Sequence, residues 1–236
     1  MMNVSDIREE FVIKYQKDDF ELDKTGANVV EIINAQFEAN ENCIFGTPNE
    51  DYINRELKWY KSQSLNVNDI ENTPKIWKDC ADPSGYVNSN YGWCIYSKEN
   101  GKQYNNCLKE LRRNASTRRA TMIYNRPEMW VDYNKYGRSD FMCTYAVQFF
   151  IRNDVLIASV SMRSNDAVFG YNNDYAWHKY VLDKVAWDLK IEDTQMIWNA
   201  GSIHVYERHF KFIEGYMTDN GISMFQVTWS PIVGAS

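Results

Sequence analysis

The sequence predicts an α+β fold: one domain over residues 1–236, with helices and strands following one another without a linker, repeat or low-complexity segment. Three observations carry this. Residues 142–152 and 155–162 read as two strands joined by Asn153-Asp154, a pair suited to a two-residue hairpin turn. Apolar residues at Trp177, Val181 and Val185 recur at helical spacing through residues 175–189, the longest helix expected. Hydrophobic residues make up 44% of the 236 positions and aromatics 15%, enough for a sizeable core and too much for a disordered chain.

Taken in order, the first helix is expected from Ser5, with Asp6, Glu9 and Glu10 favouring its N-terminal end. Asp23-Lys24-Thr25-Gly26 is a turn, and residues 29–37 alternate like a strand. The next helix has a start signal in Thr47 as cap, Pro48 at the first position and Glu50 completing a capping box. Its apolar stripe is Tyr52, Ile53, Leu57 and Tyr60, and Glu56 falls inside that stripe, about 40° from Tyr52 at 100° per residue. A carboxylate there must be paired, have a raised pKa or serve a reaction. The simplest reading is a salt bridge to a core arginine.

Residues 73–100 are turn-rich around Ile76-Trp77 and Asn88-Ser89-Asn90-Tyr91-Gly92-Trp93. A short helix over 104–112 points Cys107, Leu108 and Leu111 inward, and Ser116-Thr117-Arg118-Arg119 leads into a strand at 120–124. Beyond the long helix come a strand at 201–206, a helix carrying Phe210, Ile213 and Met217, a last strand at 222–229 and a tail at 231–236.

A net charge of −6 argues against broad binding to nucleic acid, while leaving room for a single phosphate held by converging arginines. The five cysteines, at 43, 80, 94, 107 and 143, contain no Cys-x-x-Cys pair, so neither a metal site nor a disulfide framework is expected. No run approaches the roughly 18 to 20 apolar residues of a membrane span, and residues 1–6 lack a basic-then-apolar pattern. The expectation is a cytoplasmic protein without membrane contact.

Chemistry concentrates in residues 139–185. Cys143 at a strand start, Arg163 after the hairpin and Asp174 at the head of the long helix come from three neighbouring elements, which suggests a pocket for a small anion-bearing molecule. Cys143 and Asp174 each have a plain alternative, as a core thiol and a first-turn carboxylate on a helix dipole.

Together these segments resemble the thymidylate synthase family along nearly the whole chain. Its nucleophile motif, Pro-Cys-His with Gln-Phe beyond it, corresponds to Met142-Cys143-Thr144 and Gln148-Phe149. Its phosphate motif, Arg-Ser-x-Asp then Phe-Leu-Gly, appears as Arg163-Ser164-Asn165-Asp166 and Val168-Phe169-Gly170. The arginines that this family donates across a dimer resemble Arg118 and Arg119, and its sugar-binding strand resembles His204 and Tyr206 with His209 beyond. Glu56-Leu57-Lys58-Trp59-Tyr60, Ile76-Trp77 and Tyr91-Gly92 complete the match.

The departures point to one branch. Synthases place an asparagine four residues after the glycine of the phosphate motif, where it reads the uracil edge; here that residue is Asp174. Thr144 replaces the histidine after the nucleophile, Met162 a glutamine, Cys80 a tryptophan near the folate, and Asn90 an apolar residue. This combination resembles the bacteriophage deoxycytidylate hydroxymethylase branch, which implies the host cytoplasm.

The resemblance implies a synthase-like mixed sheet packed with helices, and a sheet-mediated homodimer. It implies Cys143 as nucleophile toward carbon 6 of dCMP, its pKa lowered by Arg163; Glu56 as the base that holds water; and Asp174 as a protonated carboxyl reading cytosine. Arg118, Arg119, Arg163, Ser164, Asn165, His204, Tyr206 and Lys24 would bind the nucleotide. Trp77, Asp166, Gly170 and Tyr91 would face 5,10-methylenetetrahydrofolate, the co-substrate, with no metal. Cys80 and Asn90 would make the folate side wetter, and His178 is expected at the surface. A deoxyuridylate-specific enzyme, a thymidylate synthase and a non-catalytic nucleotide-binding subunit remain as alternatives.

Overall fold

Asn3, in extended conformation, accepts from the Asp6 amide while the Asp6 carboxylate accepts from the Asn3 amide, a capping box that starts the first helix one residue before Ser5. The computed structural model describes residues 1–223; apart from residues 222 and 223, the expected last strand and the tail lie outside them. In chain order come β1 (Met2–Asn3), α1 (Val4–Gln16), β2 (Glu21–Leu22), β3 (Asn28–Glu38) and α2 (Glu50–Ser62). Then follow α3 (Lys75–Cys80), α4 (Tyr91–Tyr96), α5 (Gln103–Arg113), β4 (Thr121–Ile123) and α6 (Met129–Asp132). The described chain closes with β5 (Thr144–Arg152), β6 (Val155–Met162), β7 (Asn165–Asp166), α7 (Gly170–Leu189), β8 (Thr194–Tyr206) and α8 (Phe210–Asp219).

One mixed sheet runs β1-β3-β8-β6-β5-β4, with β2 beside β3 and β7 beside β8. β8 is antiparallel to β3 and parallel to β6. The β5–β6 hairpin turns at Asn153 and Asp154, as expected, and their φ values of 50° and 63° are those of a type I′ turn. One face of the sheet is fully covered: Leu156, Ala158, Val160 and Met162 of β6 lie under α7, which contributes Trp177, Val181, Leu182 and Val185. On the other face Gln148, Phe150, Ile157, Ser159, Ile197 and Asn199 are only half-buried, and Ile33 is 61% exposed.

Four expectations shift. α2 begins at Glu50, because Asn49 rather than Thr47 caps it, accepting from the Tyr52 amide at 3.0 Å. Two short helices, α3 and α4, stand in the stretch expected to be turns. α7 begins at Gly170, which places Asp174 in the second turn rather than the first. β8 begins at Thr194 and not at residue 201, and it runs through the centre of the sheet despite Asn199-Ala200-Gly201-Ser202.

α4 approaches α2 so closely that a Cβ on Gly92 would sit 1.8 Å from the Tyr60 carbonyl oxygen. Only glycine permits that contact, and Tyr91 next to it is thereby brought against the core. Gly92→Ala is expected to cost about 2 kcal/mol or more, because backbone rather than a flexible side chain must move. Chemical denaturation checks this; a variant of wild-type stability would show that the two helices separate freely.

Candidate active site

The hairpin sets the nucleophile and the cation side by side. The Arg163 amide donates to the Cys143 carbonyl at 2.8 Å, just beyond the paired strands. The Arg163 guanidinium then folds back over the Cys143 loop: Nε donates to the Met142 carbonyl at 3.0 Å and Nη2 to the Phe141 carbonyl at 2.6 Å. Nη2 also lies 3.6 Å from Cys143 Sγ. Beside it opens a cleft of about 660 Å³ lined by Arg163, Arg126, Asn125, Trp130, Phe141 and Tyr145.

Arg163 lowers the thiol's pKa, as expected from the sequence, but burial is the larger effect. Burial, with the negative charges of Asp174 and Asp140, pushes Cys143 up to about 11. The expected net lowering is therefore corrected: in the free protein the thiol is protonated at neutral pH, and its proton must leave as its bond forms.

Asp174, in the second turn of α7, does not line that cleft but is near enough to Cys143 for its charge to act on the thiol. Burial first, then the charge of Glu56, raises its pKa to about 8, against hydrogen bonds from Tyr91 and Asn165. Asn165, on β7 and 2% exposed, donates its Nδ2 to Asp174 Oδ2 at 2.8 Å. Its Oδ1 is buried and has no partner among the described residues, so it can accept a further hydrogen bond from a ligand.

Glu56 is 4% exposed, and the expected salt bridge to a core arginine is absent among the described residues. Instead the Tyr52 hydroxyl and Trp77 Nε1, the latter at 2.9 Å, donate to one of its oxygens. Burial raises its pKa in spite of these two bonds. Neutral donors satisfy a buried carboxyl without fixing its charge, so Glu56 keeps the freedom to exchange a proton. The i, i+4 spacing of Tyr52 and Glu56 on α2 was the available signal for this pair.

Other candidates take varied places. His204 on β8 is 7% exposed, pairs in register with Asp166 and approaches Ser202 Oγ with Nδ1 at 3.3 Å; burial lowers its pKa. Tyr206 is half-buried under the Arg208 guanidinium, 4.1 Å from the ring centroid. Ser164 is half-buried next to Arg163, and the charge of exposed Lys24 only partly offsets the rise that burial gives the pKa of Cys80. Asp166 accepts from the Val168 amide at 2.9 Å, and Gly170 opens α7 with Asp166 Cβ 3.2 Å from where its own Cβ would be.

Arg118 and Arg119 are exposed at the far end of β5 from the thiol. Thr121 pairs with Gln148, five residues from Cys143, which is about 16 Å along a strand. The structure therefore does not bring them to their own chain's thiol; Arg119 pairs with Glu110 at 3.1 Å.

Three expectations are corrected here. His178 is 1% exposed, not at the surface: it lies one turn beyond Asp174 on α7, a spacing that could have marked it. Asn90 does not wet a folate surface, because it is fully buried, caps α4 and bridges the Trp59 and Ser64 carbonyls at 3.0 and 2.8 Å. Tyr91 is 4% exposed, packed between Tyr60, Tyr124 and His178, so it stands behind Asp174 rather than on an open folate-facing wall. Among the described residues no group of His, Cys, Asp and Glu is arranged to hold a metal ion, and no helix is long and apolar enough to cross a membrane.

A thiol, an arginine, two buried carboxyls and an open cleft can add a nucleophile to a ring while holding protons at its edge. The chain is 52% identical over 221 residues to the deoxycytidylate 5-hydroxymethyltransferases of Enterobacteria phages T4 and T2, covering 90% of this chain and 90% of each of theirs. It is 28% identical over 206 residues to thymidylate synthase of Buchnera aphidicola subsp. Acyrthosiphon pisum (strain APS), covering 80% of this chain and 74% of that one. The family model described as thymidylate synthase matches residues 15–228, and the chain belongs to the thymidylate synthase family.

Proposed function

We propose that this chain transfers a one-carbon unit from 5,10-methylenetetrahydrofolate to carbon 5 of dCMP with addition of water, giving 5-hydroxymethyl-dCMP. The observation that carries the reading is Asp174, a carboxyl held protonated near neutral pH within electrostatic reach of the Cys143 thiol. Cytosine presents a ring-nitrogen acceptor beside an amine donor. A neutral carboxyl donates to the first and accepts from the second, and Asn165 Oδ1 stands ready for the amine's other hydrogen.

Cys143 Sγ forms the bond to carbon 6, and its proton departs to solvent. Asp174 hydrogen bonds the ring edge and draws electrons from carbon 6, making that attack easier. Arg163, held by two backbone carbonyls, offers its remaining donors to the phosphate with Ser164. The folate supplies the methylene carbon when bound. Half-buried Trp77, the half-open carboxylate of Asp166 and Phe169, 50% exposed at the head of α7, support a place for a flat, amino-bearing heterocycle. Glu56 orients the water that completes the hydroxymethyl group and accepts its proton. Mass analysis of the product tests the reaction: 5-hydroxymethyl-dCMP is expected, and 5-methyl product or no product overturns it.

Glu56→Gln keeps the shape and removes the base. Formation of hydroxymethyl product is expected to fall by roughly 100-fold or more, while tritium release from carbon 5 falls less. Equal, small losses in both would return Glu56 to a structural role.

A second copy of the chain is the natural occupant of the half-buried sheet face, and it would bring Arg118 and Arg119 to the partner's phosphate. Mixing Arg119→Ala with Cys143→Ala chains should then restore activity, since one site of the heterodimer is intact. No recovery after verified subunit exchange would contradict shared sites.

A further inference from the structure

On the half-buried face of the sheet, three side chains from two strands are joined by hydrogen bonds. Glu31 on β3 pairs in register with His204 on β8, and Ser202 stands two residues before His204 on the same face. Ser202 Oγ donates to Glu31 Oε1 and lies 3.3 Å from His204 Nδ1. The Ser202 amide donates to the Arg163 carbonyl at 3.1 Å, which fixes the group to the backbone of the arginine beside Cys143. Tyr206, two residues further on, sets its ring edge-on to the imidazole, centroids 4.7 Å apart.

The protons available fix the direction of each bond. Ser202 has one hydroxyl proton, and Glu31 receives it. His204 Nδ1 can then only donate to Ser202 Oγ, which puts the N–H of the ring there. Burial is the largest influence on the ring and keeps it neutral. Asp166 on β7 and Glu31 on β3 favour charge on it, while Arg163 beyond β6 and Arg208 beyond β8 oppose it. A neutral imidazole has one N–H, so Nε2 is left as an acceptor, without a hydrogen-bond partner among the described residues.

An acceptor at this place needs a donor from the ligand. dCMP carries two kinds, the amine that Asp174 meets and the single hydroxyl of its sugar, so the hydroxyl is the one left for Nε2. The Tyr206 phenol beside it can donate to the same hydroxyl's oxygen. We propose that Glu31 and Ser202 are positioning residues that hold His204 in its Nδ1–H form, so that Nε2 takes the proton of a free sugar 3′-hydroxyl. The site then selects single deoxynucleotides over those esterified at that oxygen, cytidines within a strand included. The inference rests on the reading of the site as one for dCMP. A phosphate in place of the hydroxyl proton brings only acceptors and meets a lone pair. Were the proton on Nε2 instead, ring and phenol would both donate, and a phosphate oxygen would suit them.

Ser202→Ala removes the group that holds the Nδ1 proton, while Ser202→Thr keeps the hydroxyl. Binding of dCMP and of deoxycytidine 3′,5′-bisphosphate to the whole chain is measured by calorimetry. The wild type is expected to prefer dCMP, and Ser202→Ala to lose about tenfold of that preference, the effect of one mismatched hydrogen bond, with Ser202→Thr near wild type. A wild type that binds both alike, or a folded Ser202→Ala protein with an unmoved preference, overturns the proposal. A second measurement needs no ligand. In ¹⁵N spectra of histidine-labelled protein near pH 7, with His204 assigned by the loss of its signals in His204→Gln, the wild type should show the Nδ1–H form. Ser202→Ala and Glu31→Ala should both move it toward Nε2–H, the second because the Ser202 proton then turns to Nδ1. A protonated or Nε2–H imidazole in the wild type overturns the proposal equally. The two readings fail differently: if dCMP does not bind the wild type, the reading of the site falls and the proposal with it; if dCMP binds and the variants leave preference and ring form unmoved, only the role of Glu31 and Ser202 falls.

Discussion

Replacing Cys143 with alanine is expected to abolish turnover while leaving dCMP affinity within about tenfold, roughly 1.4 kcal/mol. The split arises because the thiol makes a bond and the phosphate does not need it. Arg163 is held by the carbonyls of Phe141 and Met142, so removing Sγ leaves its guanidinium in place. The protonated state of the thiol adds a second expectation. Alkylation of Cys143 in the free protein should be slow at pH 7 and accelerate as pH rises toward about 11, since burial outweighs the arginine. Ordinary turnover by Cys143→Ala would sink the covalent mechanism.

Asp174→Asn is expected to exchange base preference, losing activity on dCMP and gaining it on dUMP. An amide can present its donor and acceptor in the order that uracil needs. Two mismatched buried hydrogen bonds, at about 1 to 3 kcal/mol each, shift the ratio of efficiencies by several orders of magnitude. The pH dependence has a definite sign. The carboxyl is protonated below about 8, so activity on dCMP holds there and falls as pH rises through that value. Stability follows the same group: its folded pKa lies above the unfolded one near 3.8, so the folded state binds the extra proton between them. That contribution is complete below about pH 4 and is lost as pH climbs toward 8. Asp174→Asn should lack both trends. A folded variant with an unmoved ratio would reduce Asp174 to a helical carboxylate.

Much of this was legible in the sequence because it depends on spacing. Glu56 interrupts an apolar stripe, and a buried carboxyl with a raised pKa is what the structure contains. The hairpin register follows from its two turn residues and brings Arg163 opposite Cys143. What stayed hidden depends on contacts distant along the chain. His178 reads as a polar helix residue until Tyr91, from a different helix, stacks on it. Asn90 reads as a loop polar residue until the Trp59 and Ser64 carbonyls take its amide. Central β8 was missed in its first half because Gly201 and its neighbours look like a turn. The need is steric: a Cβ at Gly201 would lie 3.0 Å from the Arg163 carbonyl oxygen, so the strand must be bare where the arginine's backbone crosses it. The thiol's raised pKa was equally invisible, since one neighbouring cation is easier to read from sequence than burial is.

The most direct measurement is release of tritium from carbon 5 of labelled dCMP and labelled dUMP by the wild-type protein with 5,10-methylenetetrahydrofolate. It reports attack at carbon 6 and substitution at carbon 5 whatever the later fate of the one-carbon unit. Release from dCMP and little or none from dUMP is the result expected of a site in which Cys143 attacks and a protonated Asp174 reads the base. Release from dUMP in preference to dCMP, or from neither, would contradict it.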